Sequence, residues 1–496
     1  MMTLDSAVAD YLQRGRLPDL PADHFIAGAW SPPAAGERME TLDPGRAAPF
    51  HDFAAGDAED VDRAVSVASS AQRAWGRTKP SARGAILAEA ARLLKAEAER
   101  FAFVESLDSG KPLQEALGDV SGAARAFEYY GACANAIEGA TFPLGPDYLG
   151  YSIPEPVGIT AHIIPWNYPL STAARGIAPA LAAGCTVVAK PAETTPLTML
   201  MLAELLSRAG LPDGVCNAVT GTGPAAGAPL VADARVRHVT FTGSVPTGIS
   251  VMTAAARNVA TVVLELGGKS PLVVLADADL GAAADGAIGA IFENAGQICS
   301  AGSRLIVERG VHDDLVARVA DKARALTMGH GLTRPTLGPL NSEAHLGRVA
   351  AKVDAATARG LAPLLGGRTA RDPSTGKGWF FEATIFDDVA ATDPLVSDEI
   401  FGPVLTVQVA EDADHAIELA NGTDYALVAG IYTTNFSAAH RLAQEIDAGQ
   451  VFVNEYFAGG IEVPFGGNRQ SGFGREKGFA AMRNYLRTKS IAARIG

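Results

Sequence analysis

The strongest constraint on the fold of this 496-residue chain is a change of texture at Ile153. From there on, short apolar runs at 157–164, 186–190, 215–219 and 238–242 alternate with longer segments of helical apolar spacing. Runs of this length, rich in β-branched residues, suit strands buried on both faces, and the helix-length segments between them suit crossovers joining parallel neighbours. The alternation predicts an α/β fold with a doubly wound parallel sheet. A second α/β region starts near Gly267, with strands expected at 271–275, 304–308, 404–409, 429–432 and 450–454. Ahead of the switch, 25–30 reads as a short strand ending in a turn, a second strand is expected near 49–54, and 57–102 is Ala-rich with helical spacing. The tail 484–495 is β-compatible but falls outside the alternation, which suits an edge strand for pairing between subunits.

Composition narrows the function. With 48% hydrophobic and 19% charged residues the chain can bury a large core. A net charge of −14 and the lack of a basic cluster leave no electrostatic footprint for nucleic acid or an anionic membrane. Residues 1–23 lack the basic and apolar regions of a secretory signal, and no apolar run is long enough to span a bilayer. The four cysteines, Cys133, Cys185, Cys216 and Cys299, lack metal-ligand spacing and argue against a disulfide framework. The expectation is a cytoplasmic protein without a metal.

Two segments carry chemistry, Glu265-Leu266-Gly267-Gly268-Lys269-Ser270 and Gly296-Gln297-Ile298-Cys299-Ser300. Cysteine thiolate is the best protein nucleophile for a carbonyl carbon, although a thiol of ordinary pKa, about 8.5, is scarcely ionised at neutral pH. A glutamate on a glycine-bordered loop is suited to activate water against the adduct. Taken singly, Cys299 reads equally as a small buried hydrophobe. Pro165-Trp166-Asn167-Tyr168-Pro169 fixes an amide between two prolines at a strand end, either a turn-former or a rigid donor for an oxyanion. Gly221-Thr222-Gly223-Pro224-Ala225-Ala226-Gly227 has one residue too many for a dinucleotide fingerprint and reads as a phosphate loop or a turn before a helix. Phe241-Thr242-Gly243-Ser244-Val245-Pro246-Thr247-Gly248 follows a strand and opens a helix, where free N–H groups suit a pyrophosphate. Lys190-Pro191-Ala192-Glu193 closes another strand with an ammonium and a carboxylate suited to a ribose.

These words, in this order, resemble the NAD(P)-dependent aldehyde dehydrogenase superfamily over roughly 25–491, in its hydrolytic class near the betaine-aldehyde and amino-aldehyde branch. The resemblance implies a Rossmann-like cofactor domain, a second α/β catalytic domain and a small β oligomerisation element. The corresponding boundaries are an extension at 1–24, a cofactor domain at 25–265 interrupted near 134–154, a catalytic domain at 266–465, and a return to the cofactor domain with the C-terminal strand at 466–496. It implies that Cys299 is the nucleophile, Glu265 the base, and Asn167 with the Cys299 amide the oxyanion donors. Ile164, Pro165, Trp166, Lys190, Glu193, Gly223, Gly227, Phe241, Gly243, Ser244, Leu266, Glu399 and Phe401 are implied at NAD, with Glu193 opposing the 2′-phosphate of NADP. It further implies a dimer or tetramer. The acyl-enzyme would be hydrolysed by water; a CoA-acylating enzyme, or a silent structural relative, is the alternative that Glu265 argues against.

The substrate is less defined. Tyr168, Tyr456, Phe457 and Phe465 are candidate aromatic walls, or plain core. Arg175 stands where the branch places a tunnel tryptophan and suits a distal carboxylate, as in semialdehyde dehydrogenases. Glu293, six residues before Cys299, either pairs with Arg175 or binds an amine. Glu476 suits a proton relay, but Gly176 replaces the lysine that many relatives carry there. A polar or aromatic aldehyde, either an amino-aldehyde or a semialdehyde, is expected.

Overall fold

The computed structural model describes residues 4–496. The start of the 1–24 extension, residues 1–3, lies outside the described residues. The apolar runs form two main sheets. The first has eight strands in the order Ala29–Ser31, His24–Ile26, Cys216–Ala218, Thr186–Lys190, Ile159–Ile163, Val236–Thr242, Thr261–Glu265 and Gly472–Phe473. Its five central strands are parallel, and the flanking segments pair antiparallel. Strand order reverses between Ile159–Ile163 and Val236–Thr242, so the helices that follow them leave opposite faces and open a crevice at the carboxyl ends.

The second sheet has six parallel strands in the order Thr384–Phe386, Val404–Ala410, Arg304–Glu308, Pro271–Val274, Val428–Tyr432 and Gln450–Val453. A third, antiparallel sheet joins Leu486–Arg494, Tyr148–Pro156 and Thr141–Phe142. The tail is thus a strand, but within this chain its partner is Tyr148–Pro156. Its other edge stays open.

Local chemistry explains where the elements begin and bend. The stretch 25–30 is a hairpin rather than one strand, because Ala27 and Gly28 both take left-handed backbone, φ 56° and 77°, which matches the twist of a tight two-residue turn. Residues 57–102 split into helices Ala58–Arg77, Pro80–Ala96 and Ala98–Ser109. Asp57 caps the first through the Glu59 and Asp60 amides, and Pro80 opens the second without losing a helical hydrogen bond. Glu265 ends the strand Thr261–Glu265 instead of riding on a loop, since the preceding Thr261-Val262-Val263-Leu264 pairs with Val236–Thr242. That places its side chain at the rim of the crevice.

Helix Pro169–Ala183 starts on a proline and stops at left-handed Gly184. Ile177 and Leu181, one turn apart and fully buried, fix it to the core, each contributing about 1.5–3 kcal/mol. Its opposite side carries Thr172 and Arg175 to the crevice. No helix among the described residues is long and apolar enough to cross a membrane.

Candidate active site

The crevice continues into a cleft of about 1040 Å³ that runs from Lys190 and Glu193 to Cys299 and Glu265. At the first end the Lys190 Nζ lies 3.2 Å from Glu193 Oε2, with the lysine buried and the glutamate half-exposed. Gly223 and Gly227 leave open backbone: a Cβ on Gly223 meets nothing within 4 Å, and one on Gly227 meets Lys190 Cδ at 3.6 Å. The 223–227 segment is a wide helical turn capped by Thr222 and leads into Ala228–Ala232, the turn before a helix.

Ser244 opens helix Val245–Ala256 without a side-chain cap bond, and its hydroxyl lies 2.9 Å from that of Thr247. The Val245 and Thr247 amides at this helix start therefore keep their hydrogens for an anion, Pro246 having none. Ile164, Pro165, Trp166, Phe241, Gly243, Glu399 and Phe401 also line the cleft. Leu266 does not; it packs under the helix against Gly248. A ribose-competent pair, a bare glycine turn and an uncapped helix start in one cleft fit a dinucleotide.

Three residues missed in the sequence line the same space: His345, Arg348 and Lys352, at helical spacing on Glu343–Ala358. Periodicity alone would have put them on one face. Nothing in the sequence ties that face to the cleft.

At the other end, Cys299 follows a turn in which Asn294, Ala295 and Gly296 are all left-handed, φ 46°, 52° and 72°. Two non-glycine residues held there cost on the order of 1–2 kcal/mol each. The surroundings compensate. The Asn294 amide donates to Glu115 Oε2 at 2.9 Å, and the Gln297 side-chain amide donates to the Asn294 carbonyl at 2.9 Å. The Asn341 amide donates to Gln297 Oε1 at 2.9 Å, and the Asn167 Nδ2 donates to the Gln297 carbonyl at 2.8 Å. Asn167 is held by one N–H, leaving its second for an oxyanion.

Electrostatics set the reactive groups. Burial pushes the Cys299 thiol up to about 11; Arg175 pulls it down, while Glu265 and Glu399 push it further up. Glu265 is buried with neither carboxylate oxygen hydrogen-bonded, and burial with the facing Glu476 carboxylate holds it well above the usual carboxylate range. Gly466 backs it so closely that a Cβ there would lie 2.6 Å from Glu265 Oε1. Glu399 is pushed to about 7 by burial and accepts the Gly268 amide at 3.0 Å.

Arg175 pairs with Glu476, at 2.8 Å, rather than with Glu293. Its guanidinium lies 5.1 Å over the Phe465 ring. Glu293 lies beside Tyr168 instead, and burial together with Asp119 raises its carboxyl. Lys111 stands 3.9 Å over the Tyr168 ring and pairs with Asp119. Tyr456 turns away from the cleft, its hydroxyl donating to the Ser300 carbonyl at 3.0 Å, and Phe457 stacks edge-on against it. At Gly176 a Cβ would lie 2.8 Å from His162 Nδ1, so a histidine ring fills the space beside this position. No cluster of metal-ligating side chains occurs among the described residues.

Known proteins share this plan. The aldehyde dehydrogenase family pattern matches residues 30–491. A betaine aldehyde dehydrogenase of Cereibacter sphaeroides is 43% identical over 438 residues, 88% of this chain and 89% of the relative. The P. syringae indole-3-acetaldehyde dehydrogenase AldA, solved in complex with NAD+ and IAA, superimposes with a TM-score of 0.95 at 38% identity, covering 98% of this chain and 99% of that one. The Pseudomonas aeruginosa aldehyde dehydrogenase KauB covers 100% of both chains with a TM-score of 0.96 at 36% identity. A cleft with a thiol and an unpaired carboxylate at one end and a lysine–glutamate pair at the other, inside a match spanning nearly the whole sequence, establishes that the chain belongs to the aldehyde dehydrogenase family.

Proposed function

We propose that the chain oxidises an aldehyde to its carboxylate with NAD as hydride acceptor, using Cys299 as nucleophile, Glu265 as base and Asn167 with the Cys299 amide as oxyanion donors. One observation carries this reading: the unpartnered Glu265 carboxylate and the Cys299 thiol share one cleft with the Lys190–Glu193 pair. A thiol pushed up to about 11 needs a base, and a carboxylate whose pKa burial raises well above the usual range is a stronger base than an ordinary one. Cys299 Sγ bonds to the carbonyl carbon, its proton passes to Glu265, and the oxygen becomes an oxyanion at the free Asn167 N–H. The chemistry NAD supplies when bound is acceptance of the hydride from that carbon. A thioester on Cys299 remains. Glu265 passes its proton on, with Glu476 as the facing carboxylate, and then takes one from water. The hydroxide attacks the thioester carbon, the C–S bond breaks, the proton of the resulting acid returns to the Cys299 thiolate, and the carboxylate product leaves. Glu193 would repel a 2′-phosphate, which favours NAD over NADP.

The charge pattern supports an aldehyde with an amine or ammonium at its far end. Arg175 is already charge-paired with Glu476, which weakens its claim on a substrate carboxylate. The relatives named betaine aldehyde dehydrogenase agree with that polarity. NADH formation from amino, carboxylated and aromatic aldehydes, by wild type and Cys299→Ala with and without CoA, tests both levels. Absence of turnover with every aldehyde, or dependence on CoA, overturns the oxidation; preference for carboxylated aldehydes overturns only the substrate class.

Residues 25–265 with 466–496 are assigned to cofactor binding and 266–465 to catalysis. A homo-oligomer is expected through the third sheet, where Phe142, Leu144, Tyr148, Leu149 and Ile153 are exposed, and light scattering would give its size. Free cysteines throughout agree with a reducing cytoplasm.

A further inference from the structure

Phe401 holds left-handed backbone at φ 60°, a strained state for a ring-bearing residue. Its carbonyl accepts the Nε2–H of His345 at 2.6 Å. A carbonyl cannot donate, so Nε2 carries the proton. Burial lowers this imidazole to about 4, which leaves Nδ1 bare at neutral pH, and Arg348 donates to it at 3.2 Å. Arg348 thereby fixes the tautomer that Phe401 requires.

The ring of His345 also completes an aromatic trio with Trp166 and Phe401, at centroid separations of 5.2 and 5.9 Å, with Trp166 and Phe401 5.4 Å apart. All three line the cleft. Beyond Phe401, Gly402 touches two elements. A Cβ on Gly402 would crowd the Val349 side chain at 2.8 Å, and a Cβ on Gly296 would overlap the Gly402 carbonyl. The helix carrying His345, the Phe401 loop and the nucleophile turn are therefore in direct succession.

We propose that His345 is a positioning residue: its Nε2–H holds Phe401 in the strained conformation that walls the cofactor end of the cleft, and Arg348 enforces the tautomer that makes this possible. The inference rests on the NAD reading above. Its test measures NADH binding by fluorescence titration, and melting of the ligand-free protein, in three variants. His345→Phe keeps a ring but loses the donor, and its Kd for NADH should rise about tenfold. His345→Gln restores an N–H and should recover most of that loss. Arg348→Met should weaken binding about threefold by releasing the tautomer.

An unchanged Kd in His345→Phe, or equal losses in His345→Phe and His345→Gln, overturns the proposal in favour of packing alone. If His345→Phe does not fold, Arg348→Met decides, and an unchanged Kd there overturns it. Wild-type protein that binds no NADH would overturn the NAD reading instead, so the two failures are distinguishable.

Discussion

At the Lys190 end of the cleft the charges are matched and the backbone waits open: the ammonium meets Glu193 at 3.2 Å, and Gly223 has nothing within 4 Å of where a side chain would begin. At the Cys299 end the groups are held away from their relaxed states. Both Glu265 oxygens are unpartnered, the thiol is pushed up to about 11, and two successive non-glycine residues are left-handed. Grip can be built from satisfied groups, whereas bond making needs groups whose proton affinities are forced together. The strain of the reactive end is tolerable because the satisfied end and two large cores support it.

Changing the reactive end should affect rate and spare cofactor binding. Glu265→Gln is expected to abolish steady-state turnover, by about 10⁴-fold or more, while leaving NADH affinity near wild type. Because Glu265 takes the thiol proton, alkylation of the ligand-free thiol by iodoacetamide should slow about threefold to tenfold in this variant. A variant that is dead yet alkylates as fast as wild type would show that Glu265 serves only the hydrolysis. Asn167→Ala is expected to lower kcat by about 10²- to 10³-fold, since one oxyanion donor is lost and Gln297 loses a restraint.

At the matched end, Glu193→Ser should raise KM for NAD about fivefold with kcat unchanged, and should narrow the preference over NADP. A fall in kcat of similar size would break the contrast between the two ends. The smallest effect concerns stability. Burial and Glu293 raise Glu115 to about 8 in the folded protein, above its ordinary 4.5, so the folded state binds the extra proton between those values. Stability is therefore lost as pH rises through that window. Glu115→Gln should raise Tm more at pH 8.5 than at pH 5.5, and an equal shift at both would show that this carboxyl titrates normally.

Much of the plan is legible in the sequence because it is written in short-range terms. The β-branched runs announce the parallel strands, and the Gly243 word announces a helix start. Longer-range partners are not written that way. Glu265 reads as a loop residue because glycines follow it, while the strand status of Thr261–Glu265 depends on pairing with Val236–Thr242. The Arg175 partner could not be read either. Glu293 precedes Cys299 closely, yet Glu476, some three hundred positions away, arrives beside the guanidinium through the last turn of the chain. The cleft roles of His345 and Arg348 depend on how Glu343–Ala358 docks against the Phe401 loop, which no local pattern encodes.

Around Cys299, Gly268 abuts the Cys299 carbonyl and Gly296 abuts the Gly402 carbonyl, each leaving no room for even a methyl group. This interlock divides the molecule, for anyone seeking to redirect it, into parts that can drift and parts that cannot. New aldehydes should be sought through Thr172 and Arg175 of helix Pro169–Ala183, which line the cleft. Libraries spent on the nucleophile turn would mostly sample misassembled enzymes.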